Sequence, residues 1–213
     1  MTCDPRPTVC VVDDDPSVLK SLKRLLESTG HIVKAFESAR EFLNSAIESD
    51  GPSCLVLDVM MPEMSGLDLQ KEIISREYSM PIIFITALHD IPSSVSAMKK
   101  GAVDFLTKPF EERALLEAIQ TALAKDRKKR LERDEIEKIK QRLALLTARE
   151  HEVLSYIIAG HLNKQVAFDL DISERTVKAH RSQIMHKMSA NSLAELVRLS
   201  ERAGIQPTDI NGG

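Results

Sequence analysis

Five side chains in the first half of the chain are of types that could do chemistry together: Asp13 and Asp14 side by side, then Asp58, Thr86 and Lys108. Three carboxylates, a hydroxyl and an ammonium, with no His or Cys among them, suit a hard, oxygen-ligated cation such as Mg²⁺ and chemistry on a phosphoryl group.

Each of these groups closes a short apolar run, at 8–12, 54–57, 82–85 and 102–106. Such runs read as parallel strands buried on both faces. The polar groups therefore stand at the carboxyl ends of strands, which in an open α/β sheet form the ligand-binding crevice. Asp58 lies 28 residues before Thr86 and 50 before Lys108, leaving room for one and two helix–strand units. Asp15 and Pro16 read as the cap and first position of a helix, so the third Asp of the run is structural.

The segments Val12-Asp-Asp-Asp-Pro16, Leu57-Asp-Val-Met-Met-Pro62, Ile85-Thr-Ala87 and Leu106-Thr-Lys-Pro-Phe110 resemble, in that order, the receiver domain of two-component response regulators, over about residues 6–125. The resemblance implies a five-stranded, flavodoxin-like, doubly wound α/β sheet. It implies that Asp13 and Asp14 hold Mg²⁺, with Asp58 and the backbone carbonyl of Met60 completing the protein ligands. Asp58 is then the phosphoacceptor, Lys108 clamps the phosphoryl oxygens, Thr86 is the hydroxyl that moves toward the phosphoryl group, and Phe105 is the switch aromatic. Catalysis of such a transfer is mainly positioning and charge neutralisation.

No apolar run approaches the ~18 residues of a membrane helix, and no basic start followed by an apolar stretch marks a signal peptide; a cytoplasmic protein is expected. Of three cysteines, Cys10 and Cys54 fall in predicted strands and Cys3 near the N-terminus, which argues against a disulfide framework or zinc. Residues 1–110 carry 11 Lys and Arg against 16 Asp and Glu, whereas 141–213 carry 9 against 8, so the two halves should face different partners.

Between them, 111–146 lacks Gly and Pro and is dense in helix formers. Leu115, Leu116, Ile119, Ala122 and Leu123 form a face that can pack on the sheet. Further on, Ile136, Ile139, Leu143 and Leu146 form a heptad-like seam. We read a helical linker over 126–142; its seam either serves the linker itself or docks on its own chain.

Thr147-Ala-Arg-Glu150 is a capping box opening a helix that ends at Gly160. A short helix follows over 163–170, then a third from Ser173 to about 188, and a fourth from Ser192 to about 203. Two helices joined by a tight turn, the second basic, describe a helix-turn-helix. Residues 174–187 hold four Lys and Arg against one Glu. Val177, Ile184 and Met188 point to the core, leaving Arg175, Lys178, Ala179, Ser182 and His186 on the opposite side. Lys178 and Ser182 suit base edges and Ala179 a close approach, whereas Lys164, Thr176, Arg181 and Lys187 suit phosphates. His180 has no assigned role.

The series Leu146 to Glu150, Gly160, Asn163-Lys164, Thr176-Val-Lys178, His180-Arg181 and Ile184 resembles LuxR-type DNA-binding domains, placed at 143–208. Together the halves resemble a response regulator of the FixJ-like subgroup. That implies transcriptional control through double-stranded DNA, switched by a sensor histidine kinase, with a homodimer formed on phosphorylation and RNA polymerase as a further partner. The dimer contact is expected at a helix over 92–100 and the strand ending at Leu106. No Gly-rich phosphate loop of an ATP-binding central domain occurs. Two rivals are a Mg²⁺-dependent aspartyl-phosphate phosphatase, whose general acid would stand where Met60 is, and a constitutive DNA-binding protein that uses its receiver only to dimerise. Met60 and Leu88, unable to orient water through their side chains, imply a long-lived phosphoryl group.

Overall fold

A computed structural model describes residues 6–45, 49, 51–76, 78–87 and 102–205. Cys3, Leu88, the helix expected over 92–100 and residues 206–208 lie outside the described residues. The chain forms two compact units, Met1–Arg130 and Leu131–Gly213.

In the first unit β1 (Thr8–Val12), β2 (Ile32–Phe36), β3 (Ser53–Asp58), β4 (Ile82–Ala87) and β5 (Asp104–Lys108) form one parallel sheet in the order β2-β1-β3-β4-β5. The order reverses at β1, the switch point where a crevice opens at the carboxyl ends of β1 and β3. Alternation along the strands divides the core. Cys10, Val12, Leu55, Leu57 and Phe84 face one side with α2 (Ala39–Asn44) and α3 (Gly66–Ser75). Val9, Val11, Cys54, Val56, Ile83 and Ile85 face the other with α1 (Pro16–Ser28) and α4 (Glu112–Leu143). This is the doubly wound, flavodoxin-like sheet that the sequence led us to expect. The thiols of Cys10 and Cys54 face opposite sides, and burial pushes Cys10 up to about 11.

Two strands correct the reading of the apolar runs. β5 begins at Asp104 rather than 102 and ends at Lys108, because its ladder pairs Ile83 with Asp104 and Ala87 with Lys108. It is an edge strand, half-buried along most of its length, so its run was no guide to its ends. β2 is the other edge; Lys34 and the exposed Ile32 give it no clear buried run. Asp15 caps α1 as expected, accepting from the Ser17 amide at 2.8 Å, with Pro16 at the first helical position.

α4 runs unbroken for 32 residues. Leu115, Ile119, Ala122 and Leu123 are buried against the sheet, and Leu116 is partly buried there. The stretch 126–142, read as a linker, is engaged at both ends. Asp126, 3% exposed, accepts from the Ser53 amide at 2.8 Å and from Arg130 Nε at 2.7 Å, and Arg130 Nη1 donates to the Ser49 carbonyl at 2.9 Å. Of the seam, Ile139, Leu143 and Leu146 are buried in the core of the second unit and Ile136 is half-buried, so from Ile139 onward the seam docks on its own chain.

The second unit adds α5 (Ala148–Ile158), α6 (Asn163–Asp169), α7 (Glu174–Met188) and α8 (Leu193–Arg202). Their starts are set locally. Thr147 and Glu150 form the capping box, Ser173 accepts from the Thr176 amide, and Ser192 accepts from that of Glu195. Val153, Leu154, Ile157, Val166, Val177, Ile184, Met188 and Leu196 make the core. Among the described residues no helix is long and apolar enough to cross a membrane.

Candidate phosphoacceptor site and nucleic-acid face

The strand ends bring Asp13, Asp14 and Asp58 together, with one carboxylate oxygen of each within 4.8 Å of the others. Asp13 is fully buried, Asp58 is 6% exposed and Asp14 is exposed. The Lys108 ammonium bridges the two buried carboxylates, at 2.7 Å from Asp13 Oδ2 and 2.7 Å from Asp58 Oδ2. Desolvation raises the pKa of Asp13 even though the Lys108 hydrogen bond opposes it. Desolvation also acts to lower Lys108, but hydrogen bonds to Asp13 and Asp58 outweigh it and hold the ammonium above its ordinary value. A buried carboxylate that keeps an elevated pKa beside its own cation is under-compensated, and the oxygen-only donor set suits a hard divalent ion.

Asp58 is aimed by its own loop. The Met60 amide donates to Asp58 Oδ1 at 3.1 Å, and the Asp15 amide holds Asp13 Oδ1 at 2.9 Å. Gly66 opens α3 against the end of β3, donating to the Val59 carbonyl at 3.0 Å; a Cβ there would stand 2.2 Å from the Asp58 carbonyl oxygen. Sequence motifs alone do not mark Gly66, although its place just after the Ser65 cap fits a tight strand-to-helix return.

Thr86 lies on β4 one residue beyond Ile85, which pairs with Asp58. It is 1% exposed, and its hydroxyl has no partner among the described residues. A buried hydroxyl left without a partner costs free energy unless a ligand takes it. Phe105 on β5 is half-buried and leans on Phe84, ring centroids 6.3 Å apart. The Met60 side chain is 65% exposed.

In the second unit α7 sorts its residues by face. Val177, Ile184 and Met188 are fully buried, while Arg175, Lys178, Ala179, Ser182 and His186 are exposed together. Lys164 on α6 is exposed, and Thr176 and Arg181 are half-buried on the flanks of α7. Thr176 shares a 2.8 Å hydrogen bond with the Ser173 hydroxyl at the cap.

Lys187, expected to contact phosphate, is engaged within its own unit. Its ammonium donates to Glu150 Oε2 at 2.7 Å, and its side chain is 27% exposed. That hydrogen bond, with the Thr147 amide, holds Glu150 below the usual carboxylate range. The helix period places Lys187 only on the flank of α7, further from the core side than Arg181, so nothing in the sequence marked it as the cation that Glu150 would take.

Residues 9–120 match the response regulator receiver domain family, and 144–200 match the bacterial regulatory proteins of the luxR family. The chain is 46% identical over 199 residues to the response regulator protein TodT of Pseudomonas putida, covering 93% of this chain and 87% of TodT. It is 43% identical over 201 residues to the transcriptional regulatory protein FixJ of Rhizobium meliloti, covering 94% and 98%. The solved structure of response regulator StyR covers 92% of this chain and 99% of its own, with a TM-score of 0.82 at 47% identity. Full-length FixJ from B. japonicum covers 93% and 97%, with a TM-score of 0.56 at 40% identity. The chain belongs to the response regulators. As a response regulator it joins a receiver to a LuxR-type DNA-binding domain, homologous to the FixJ and TodT transcriptional regulators. Its receiver carries an acidic cluster at the strand ends, and its second unit an exposed basic face on α7.

Proposed function

We propose that this response regulator accepts a phosphoryl group on Asp58 from a sensor histidine kinase and, as a dimer, binds specific double-stranded DNA in the cytoplasm to control transcription by RNA polymerase. The observation that carries this reading is the Asp58 carboxylate held by the Lys108 ammonium at 2.7 Å and the Met60 amide at 3.1 Å, on the strand beside a buried Thr86 hydroxyl that has no partner among the described residues. One Asp58 oxygen attacks phosphorus, the bond from phosphorus to the kinase imidazole nitrogen breaks, and the imidazole keeps that electron pair. Asp13, Asp14, Asp58 and the Met60 carbonyl would hold Mg²⁺, which supplies charge neutralisation and orients the phosphoryl oxygens. Lys108, already on Asp58, would hold a phosphoryl oxygen, Thr86 would donate its hydroxyl to another, and Phe105 would follow the space that Thr86 vacates. In the second unit Lys178, Ser182 and Ala179 read bases, while Arg175, Lys164, Thr176 and Arg181 serve the backbone.

The protein acts as a switch and not as an enzyme. A phosphatase working through an aspartyl intermediate needs a general acid near the nucleophile, and the residue two beyond Asp58 is a thioether that carries no proton. Acetyl phosphate with Mg²⁺ tests the reading. Stoichiometric, alkali-labile modification of Asp58 together with a shift from monomer to dimer in sedimentation supports it. Multiple turnover indicates a phosphatase, and no reaction a constitutive binder.

A further inference from the structure

The two helices of the helix-turn-helix end in the same way. α6 closes with the Asp171 amide on the Phe168 carbonyl at 3.2 Å and the Ile172 amide on that of Ala167 at 3.0 Å. α7 closes with Ser189 on His186 and Ala190 on Met185, both at 3.0 Å. Such a closure puts one residue into the left-handed region. After α1, α5 and α8 that residue is glycine: Gly30, Gly160 and Gly204. After the two helices of the motif it is Asp171 and Ser189, both at φ 53, where a Cβ crowds the following carbonyl.

This closure leaves the carbonyl just before the left-handed residue without a donor from its own helix. In both helices an arginine from elsewhere takes it. Arg149 of α5 donates through Nη2 to the Leu170 carbonyl, and Arg142 of α4 donates through Nη1 to the Met188 carbonyl at 3.2 Å. Each guanidinium also sets a full positive charge at the negative end of a helix dipole. Both arginines are half-buried, and Arg149 is steadied by Glu152 at 2.6 Å. Neither lies on the exposed stripe of α7.

We propose that Arg142 and Arg149 are positioning residues for base readout, fixing the angle at which α7 is presented. The proposal rests on the DNA-binding reading of this unit. Hydrogen bonds to base edges weaken steeply with misalignment, whereas attraction to phosphates falls slowly with distance. A recognition helix freed at its C-terminal end, which Arg142 holds, or at the turn that leads into it, which Arg149 holds, therefore loses discrimination before it loses affinity for DNA in general.

The test uses the full chain treated with acetyl phosphate, a duplex that the wild type enriches from a random-sequence pool, and a scrambled duplex of equal length. Arg142→Met and Arg149→Met are each expected to lose about tenfold affinity for the enriched duplex and little for the scrambled one, at an unchanged salt dependence. Arg142→Lys, which keeps a cation and a donor, should regain part of the loss. A residue that only stabilises the fold would move the thermal midpoint and leave the ratio of the two affinities alone, and that result overturns the proposal. A salt slope reduced by about one in either variant marks a direct phosphate contact and also overturns it. If one methionine variant does not fold, the other decides. A wild type that enriches no sequence removes the DNA reading itself, an outcome distinct from a variant with a normal ratio.

Discussion

Lys187 and Glu150 form a 2.7 Å ion pair that ties the end of α7 to the start of α5 across 37 residues of chain. Glu150, 4% exposed, also completes the capping box with Thr147, so a single carboxylate caps one helix and anchors another. Lys187→Ala leaves that charge short of a partner and should destabilise the second unit by about 1–3 kcal/mol. Thermal unfolding of the variant, compared with a change at exposed Lys164, measures it; equal midpoints would show the pair to be inert.

The same pair sets a pH dependence. Glu150 has a depressed folded-state pKa, so its contribution is fully present above its ordinary value of 4.5 and is lost as pH falls from there through the native value. Glu150→Gln should therefore be less stable than the wild type at pH 7, and the difference should shrink below about pH 4.5. A difference that grew on acidification would contradict the assignment.

Lys178 and Lys187 should differ in kind on DNA. Lys178→Ala should cost roughly 1–3 kcal/mol on a specific duplex and relax base preference. Lys187→Ala should leave the salt dependence of binding unchanged in protein that remains folded. Equal losses for Lys178→Ala on specific and random DNA would make that residue a phosphate contact instead.

Gly66→Ala would drive a Cβ to within 2.2 Å of the Asp58 carbonyl oxygen. The neighbour is backbone and has little freedom to yield, so the first unit should lose about 2–3 kcal/mol and Asp58 its aim. Urea unfolding and the rate of acetyl phosphate labelling read the two effects. Wild-type labelling in the variant would show that the loop adjusts without moving the nucleophile.

Met60, two residues past Asp58 and 65% exposed, offers a water no hydrogen bond through its side chain comparable to that of an amide. Met60→Asn should shorten the phosphoryl lifetime by a factor on the order of three to ten by positioning the attacking water. Phosphate release at fixed Mg²⁺ is the measurement, and an unchanged or slower rate in folded variant protein rules the idea out.

What the sequence determined by itself were the elements and the chemical residues. Alternation and apolar runs place β1, β3 and β4, and caps at Asp15, Thr147, Ser173 and Ser192 start four helices, because each of these signals acts over a few residues of chain. The converging acidic residues were legible because strand ends in a parallel sheet meet at one edge. What only the tertiary structure decided depends on partners far apart in sequence. Lys108 reaches Asp13 across 95 residues and Asp58 across 50, Asp126 holds Ser53 across 73, and Arg142 takes the Met188 carbonyl across 46. Lys187 looked like any other cation of a basic helix until Glu150 stood opposite it. The seam of Ile139, Leu143 and Leu146 could have served the linker or its own domain, since periodicity fixes which side of a helix is apolar and leaves to packing what covers it.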